Sequence, residues 1–154
     1  MLTELLKLPR VVAIKEGSWE VAAYEHTRRL AAEVAPHVAV MASGDEHLFT
    51  GFAIGSEGSV VSLAAVVPEV IVALDRAVKR GELGRARAIH ETLQPLANLV
   101  YGTPPGNRAT ARLKACLHMM GRIPCDAVRP PLAPVDSAER ARLATALERA
   151  TAAV

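Results

Sequence analysis

A chain of 154 residues is the length of one domain and is long enough to bury a sizeable core. Apolar residues make up 51% of the chain, yet no window of about 18 residues is free of charge, so a membrane-spanning helix is not expected. The 18 Lys and Arg and the 16 Asp and Glu are interspersed, and only 3% of residues are aromatic, which gives little support to nucleic-acid binding. The amino-terminal stretch "MLTELLKLPR" lacks the apolar run and cleavage site of a secretory signal, which favours a cytoplasmic protein.

Three short segments rich in β-branched residues are predicted to be buried strands. They are bounded by Gly, Pro or Ser and cover Val11–Lys15, Val38–Ser43 and Ser59–Ala64. Their starts are spaced by about 27 and about 21 residues, a normal length for a strand followed by a helix. The strands are therefore expected to be parallel, with right-handed crossovers.

Helical patterns fill the intervals between these strands. One follows Ser18 and another follows Asp45, and both residue types are favoured at the N-cap of a helix. A third opens with Pro68 in its first turn and stops at Gly81, the usual placement of proline and glycine at helix ends.

The remainder of the chain, from about Leu83, is predicted to be helical. One helix has apolar residues at helical spacing and contains Pro95, which is expected to kink it. A second is predicted from Arg108 to Met120. A last helix is predicted to begin at a D-x-x-E capping box formed by Asp136 and Glu139.

Lys15 stands at the end of the first predicted strand, in the stretch "VVAIKEG". Because side chains alternate across a strand, Val12 and Ile14 are predicted to face the flanking helices and Lys15 to point away from them. The same alternation places Ser43 on that other face of the second strand. Lys15 and Ser43 are therefore expected at the carboxyl ends of parallel strands, the edge at which α/β proteins bind ligands.

A lysine in that position could take part in chemistry or could merely end the strand. Partial removal from water penalises the ammonium form, and the free amine attacks a ketone or aldehyde to give a protonated Schiff base. That imine withdraws electrons from the neighbouring carbon and permits carbon–carbon bond making or breaking. In the alternative, Lys15 extends into water and pairs with Glu16 or Glu20.

Several stretches together resemble one family of enzymes. "LPRVVAIKEGSWE" resembles the lysine strand of the dihydrodipicolinate synthase and N-acetylneuraminate lyase family of class I aldolases. "VMASGDEHLFTGFAIGSEGSVVSLAAVVPE" resembles the next two units of that family, and "KACLHMMG" and "RPPLAPVD" resemble its carboxyl-terminal helical segment. The similarity covers nearly the whole chain, in the same order and at matching spacings.

The resemblance implies an α/β fold that is part of a (β/α)8 TIM barrel. By this comparison residues 1–82 are the carboxyl-terminal part of the barrel, and the three predicted strands are its sixth to eighth. Residues 83–154 are the helical region that follows the barrel. Three parallel strands cannot close a barrel, so the resemblance also implies a homo-oligomer or a complementing amino-terminal half.

The resemblance also assigns roles to particular residues. Lys15 aligns with the lysine that forms a Schiff base with pyruvate or a related 2-keto acid. Gly44 and Asp45, preceded by Ser43, align with the turn at the edge of the substrate pocket, although Asp45 could equally do no more than cap its helix. Val60 aligns with a position whose backbone carbonyl faces the keto acid.

The chain departs from the family pattern at some positions. Ala13 stands where glycine is usual, Ala65 where asparagine is frequent, and "GNRATARLK" replaces an N-P-x-P segment. These departures favour a keto-acid or hydroxy-oxo-acid aldolase over dihydrodipicolinate synthase proper. The hydroxyl-rich loop and the proton-relaying tyrosine of the family come from earlier strands, and Tyr24 and Tyr101 are interpreted as packing residues. A non-catalytic relative that acts as an oligomerisation or packing module is therefore the alternative.

Other reactive residues form no recognisable site. The five histidines show no H-x-x-x-H or H-E-x-x-H pattern, so neither a metal nor another cofactor is expected. Cys116 and Cys125 form neither a C-x-x-C pair nor a Cys/His ligand set and are interpreted as reduced, structural thiols.

Overall fold

A computed structural model describes residues 1–152 of the chain. The chain divides into two compact units, the first covering Met1–Val61 and the second beginning at Ser62. The boundary expected from the family resemblance, between residues 82 and 83, concerns the barrel and the helical region after it, and it stays a prediction.

The first unit alternates helices with two short strands. Its elements are α1 (Leu2–Leu6), β1 (Ala13–Lys15), α2 (Val21–Val34), β2 (Ala39–Met41) and α3 (Leu48–Ala53). Strands β1 and β2 pair in parallel, with Ala13 opposite Ala39 and Lys15 opposite Met41. The prediction that the first two strands are parallel is confirmed.

The core of the first unit lies between α2 and the sheet. Its buried members are small and medium apolar residues together with one tyrosine: Leu6, Tyr24, Ala31, Ala35, Val38, Val40 and Ala42. The strand alternation predicted that Val38 and Val40 of the second strand face the helices, and their burial in this core confirms it. Ile14 packs at the margin of this cluster, but Val12 is 70% exposed, so its predicted burial was wrong. Val12 precedes β1, which begins at Ala13, and helix α2 packs against β2.

The third predicted strand, Ser59–Ala64, was wrong over most of its length. Only Ser59 pairs with the sheet, through a single parallel bridge to Ala42. Ser62–Ala65 instead form a turn of 3-10 helix. A run of β-branched residues forms a strand only where a neighbouring backbone is open to pair with it. In parallel register the residues after Val60 would pair beyond Ala42, where β2 has ended and the chain turns at Gly44.

The second unit consists of helices and turns over its described residues. Its α-helices are α4 (Pro68–Lys79), α5 (Leu83–Ala97), α6 (Ala109–Met119) and α7 (Ser137–Thr151). A π-helical turn, Asn98–Gly102, continues α5, and a 3-10 turn, Gly106–Arg108, precedes α6. The predicted helices of this unit are confirmed, to within two residues at their predicted ends.

Helix ends in the second unit follow the predicted chemistry. Pro68 opens α4, and Gly81 follows it with φ +74°, a left-handed conformation that glycine adopts without steric cost. The Asp136 N-cap of the predicted capping box of α7 is confirmed, because the Glu139 backbone N–H donates to Asp136 Oδ1 at 2.7 Å. The Glu139 carboxylate pairs with Arg108 and Arg112 in place of the return bond of the box. Pro95 lies inside α5, shortly before the π-helical turn.

The predicted N-cap at Ser18 was wrong. Helix α2 begins at Val21, and Glu20 occupies the N-cap position. Ser18 Oγ instead accepts a hydrogen bond from the Glu20 N–H at 3.1 Å, within the turn that leads into the helix. Trp19, between them, has φ +66°, so the chain turns sharply there before the helix can start.

The longest helices described in residues 1–152 have 15 residues, and none of them has the length and apolarity needed to cross a membrane.

The two cysteines are both free thiols but differ in environment. Cys116 is buried and Cys125 is exposed, and burial raises the pKa of the Cys116 thiol to about 11. Because the thiolate is the nucleophile, iodoacetamide at about pH 8 should alkylate Cys125 in the native protein and leave Cys116 unmodified. Intact mass with and without denaturant would measure this, and two labels on the native chain would contradict it.

Candidate active site

Lys15 ends β1 on the exposed face of the sheet. The register places it opposite Met41, and the Glu16 N–H extends the pairing by donating to the Met41 carbonyl at 3.2 Å. The Lys15 backbone is therefore held in the sheet while its amine is reachable from solvent. Within residues 1–152 it forms no ion pair with Glu16 or Glu20, and Glu16 Oε1 accepts from the Ser18 N–H at 2.9 Å instead. The strand-ending ion pair considered above is not seen.

Ser43 follows β2 and is only 6% exposed. Its Oγ is buried and has no hydrogen-bond partner among the described residues. The side chain lines a small cleft, with Trp19, Tyr24 and His47 among the other lining residues. Ser43 thus lies beyond the carboxyl end of β2, as the strand alternation predicted, but it is enclosed and not on the open face.

Gly44 and Asp45 form the turn between β2 and α3. Gly44 has φ +84°, and the imidazole of His47 occupies the space that a Cβ at Gly44 would need. Helix α3 begins only at Leu48, with His47 in the N-cap position, so the prediction that Asp45 caps this helix was wrong. Residues that would have formed the first turn of the predicted helix belong instead to the turn at Gly44. The His47 N–H donates to the Gly44 carbonyl at 3.1 Å and closes that turn.

Val60 ends the segment Gly58–Val60, which pairs with the outer edge of β2 at Ala42. Its side chain is 51% exposed, and its N–H donates to the Ala42 carbonyl at 3.2 Å. Two residues earlier, the Gly58 carbonyl accepts from the Ala42 N–H at 3.0 Å, and a Cβ at Gly58 would lie 3.2 Å from Met41 Sδ. Met41 therefore separates Lys15 on one side from the Gly58–Val60 segment on the other.

A group of polar side chains at the outer edge of β2 was not predicted. Tyr24 Oη donates to the Val40 carbonyl at 2.9 Å, and Glu57 Oε2 accepts from the Val40 N–H at 3.1 Å. Ser56 Oγ accepts from the Ala42 N–H at 3.0 Å. Burial raises the pKa of Tyr24 above its usual value, so its hydroxyl remains a donor. These side chains bind the outer edge of β2 immediately before and at its bridge to Ser59.

The only sequence signal for this group is the pair of glycines, Gly55 and Gly58, that bracket Ser56 and Glu57. Tyr24 was interpreted as a packing residue, and it does pack in the core, but its hydroxyl also bonds the sheet. No cluster of three His, Cys, Asp or Glu side chains suited to a metal ion occurs in the part of the chain that the structure describes.

Comparison with known proteins gives the family. A family model, that of the dihydrodipicolinate synthetase family, matches residues 1–150. The chain belongs to this family. The resemblance found in the sequence motifs is confirmed.

Individual members of the dihydrodipicolinate synthetase family match over about half of their length. The 4-hydroxy-tetrahydrodipicolinate synthase of Sorangium cellulosum is 36% identical over 143 residues, which are 92% of this chain and 44% of that protein. Dihydrodipicolinate synthase from Thermotoga maritima superposes with a TM-score of 0.83 at 24% identity, over 97% of this chain and 50% of the other. The chain thus spans about half the length of the curated relatives that it matches.

A third similar structure is YagE of Escherichia coli K12, a family member solved in complex with pyruvate. It superposes with a TM-score of 0.79 at 25% identity, over 97% of this chain and 51% of YagE. These structural neighbours are TIM barrels, so the present chain has the fold of about half of such a barrel.

Proposed function

We propose that the chain is the carboxyl-terminal half of a class I aldolase or lyase, which acts on pyruvate or a related 2-keto acid through a Schiff base on Lys15. The observation that supports this most directly is the position of Lys15. A solvent-accessible amine ends a parallel strand, at the edge where barrel enzymes do chemistry, in a chain of this family.

The proposed reaction begins with the neutral Lys15 amine. Nζ attacks the ketone carbon of the keto acid and gives a carbinolamine, which loses water to form the protonated imine. The imine draws electrons from the adjacent methyl or methylene carbon, which then loses a proton and attacks an aldehyde, or releases one in the reverse direction. The imine is finally hydrolysed, and the amine is regenerated.

The remaining site residues have supporting roles in this proposal. Ser43, Gly44 and Asp45 form the rim that contacts the substrate, and the Val60 backbone carbonyl faces the keto acid. We assign β1, β2 and the Ser59 bridge to the sixth, seventh and eighth strands of the barrel. The first five strands, with the carboxylate-binding loop and the proton-relaying tyrosine, come from an amino-terminal half, present either in a longer chain or as a separate partner.

Trapping of the imine tests the proposal. The chain is incubated with pyruvate and sodium cyanoborohydride, and reduction of the imine should leave a product about 72 Da heavier by intact mass. Lys15→Arg, which keeps a positive charge but offers no amine at neutral pH, should abolish the adduct. Lys7→Arg is the matched control, because Lys7 is an exposed lysine outside the sheet, and it should be labelled like the parent chain.

The experiment is run with the chain alone and after mixing with an amino-terminal half taken from a full-length family member. An adduct that depends on Lys15 under either condition supports the proposal. A folded parent chain that forms no such adduct under both conditions would contradict it and would favour the packing-module alternative.

A further inference from the structure

The outer edge of β2 is paired by side chains at Val40 and by backbone at Ala42. At Ala42, the segment Gly58–Val60 forms the two backbone bonds of an ordinary parallel bridge. At Val40, both backbone groups bond to side chains, those of Tyr24 and Glu57. The change from one kind of pairing to the other occurs at Ser56.

Ser56 is 3% exposed, and its hydroxyl contacts three backbone groups. Oγ accepts from the Ala42 N–H at 3.0 Å and lies 2.5 Å from the Gly58 carbonyl and 3.3 Å from the Val40 carbonyl. A hydroxyl has one hydrogen to donate, and the short contact directs it to Gly58. Ser56 thus ties the β2 backbone to the start of the Gly58–Val60 segment.

Tyr24 completes the arrangement from helix α2. Its hydroxyl donates to the Val40 carbonyl, which leaves the Ser56 hydrogen available for Gly58. Glu57 binds the second backbone group of Val40, because its carboxylate accepts from the Val40 N–H. Gly58 lies against Met41, which pairs with Lys15, so these side chains hold the segment on the opposite side of β2 from the lysine strand.

We infer that Tyr24, Ser56 and Glu57 are positioning residues, which fix the Gly58–Val60 backbone across Met41 from Lys15 so that it can bind the keto acid during imine formation. The inference rests on the proposed function, because it concerns the same Lys15 site. It adds that keto-acid affinity depends on hydroxyl and carboxylate groups that do not touch the substrate.

The test compares how imine trapping depends on pyruvate concentration. Ser56→Ala should raise the half-saturating pyruvate concentration by roughly fivefold, the effect of losing one net hydrogen bond, and leave the trapping rate at saturation unchanged. Tyr24→Phe should act in the same direction. The double variant should exceed the product of the two single effects, because the Val40 carbonyl then loses both hydroxyl neighbours. Ser137→Ala, which removes an exposed hydroxyl from α7, is the control and should match the parent.

Glu57 supplies a variant that does not disturb the core, because its side chain is exposed. Glu57→Ala should raise the half-saturating concentration, and Glu57→Gln should restore the parent value because it keeps an acceptor for the Val40 N–H. A variant that merely destabilised the fold would lower the amount of trappable protein without changing the pyruvate concentration at half-saturation.

The outcomes are distinguishable. If the parent chain forms no adduct, the proposed function fails, and the inference falls with it. If the parent is labelled but Ser56→Ala, Tyr24→Phe and Glu57→Ala all retain its half-saturating concentration, the inference is overturned while the proposed function stands. A raised concentration for Glu57→Ala that Glu57→Gln reverses supports the inference even if Ser56→Ala does not fold.

Discussion

Replacing Arg112 with methionine should lower the free energy of unfolding by about 3–5 kcal/mol. The Arg112 side chain is 1% exposed, and its Nε donates to Glu139 Oε1 at 2.7 Å. Its Nη1 donates to the carbonyls of Val100 at 3.0 Å and Thr103 at 2.7 Å. Methionine fills much of the same volume but leaves Glu139 Oε1 and these carbonyls without their donor, while the carboxylate keeps its ion pair with Arg108 through Oε2 at 2.7 Å.

Urea denaturation would measure this loss against a matched surface variant. Arg140→Met removes an arginine that pairs with Asp126 in a more exposed position, so it should cost less than about 1 kcal/mol. Arg112→Met combined with Glu139→Leu should recover part of the loss, because it also removes the buried Glu139 Oε1 that has lost its donor. If Arg112→Met proved no more costly than Arg140→Met, the buried pair would not have the stabilising role that its contacts indicate.

The elements set by short-range patterns were those that the sequence predicted well. Helix α4 has its proline at the start and its glycine after the end, and α7 has its Asp136 N-cap, because each of these features involves residues only a few positions apart. The strand that carries Lys15 was predicted for the same reason. Its β-branched run and the glycine that follows it lie within one short stretch, although the burial predicted for Val12 was wrong.

The failures came from interactions between residues distant in the sequence. The "SVVSLA" segment has strand-forming residues, but the backbone that it would have paired with beyond Ala42 leaves the sheet at the Gly44 turn. The contacts of Tyr24, Ser56 and Glu57 with the outer edge of β2 were not predicted either. Tyr24 and Val40 are sixteen positions apart, and no local pattern records their contact. The candidate site also combines local and distant interactions. Lys15 could be identified from its own strand, whereas the residues that hold the Gly58–Val60 segment could not.

Asp45 illustrates a competition between two local preferences. An aspartate before an apolar run favours an N-cap, but a glycine immediately before it favours a left-handed turn. The turn at Gly44 prevails, and it moves the start of α3 to Leu48. Both signals were present in the sequence, and only the packing of His47 over Gly44 decides between them.

Substituting Gly44 with alanine should lower the free energy of unfolding by about 2–4 kcal/mol, from two separate causes. Gly44 has φ +84°, a left-handed conformation that costs a residue with a Cβ roughly 1–2 kcal/mol. The new Cβ would also overlap the imidazole of His47, so the ring must move from its position in the cleft that Ser43 lines.

The two causes can be separated with a second substitution. His47→Ala removes the ring, so Gly44→Ala in that background should cost only the backbone share, roughly 1–2 kcal/mol. Gly17→Ala is the control, because Gly17 has no heavy atom within 4 Å of an added Cβ, and urea denaturation should place it within about 0.5 kcal/mol of the parent. An equal cost of Gly44→Ala with and without His47 would show that the ring is not the obstacle. The turn between β2 and α3 would then be defined by the backbone of Gly44 alone.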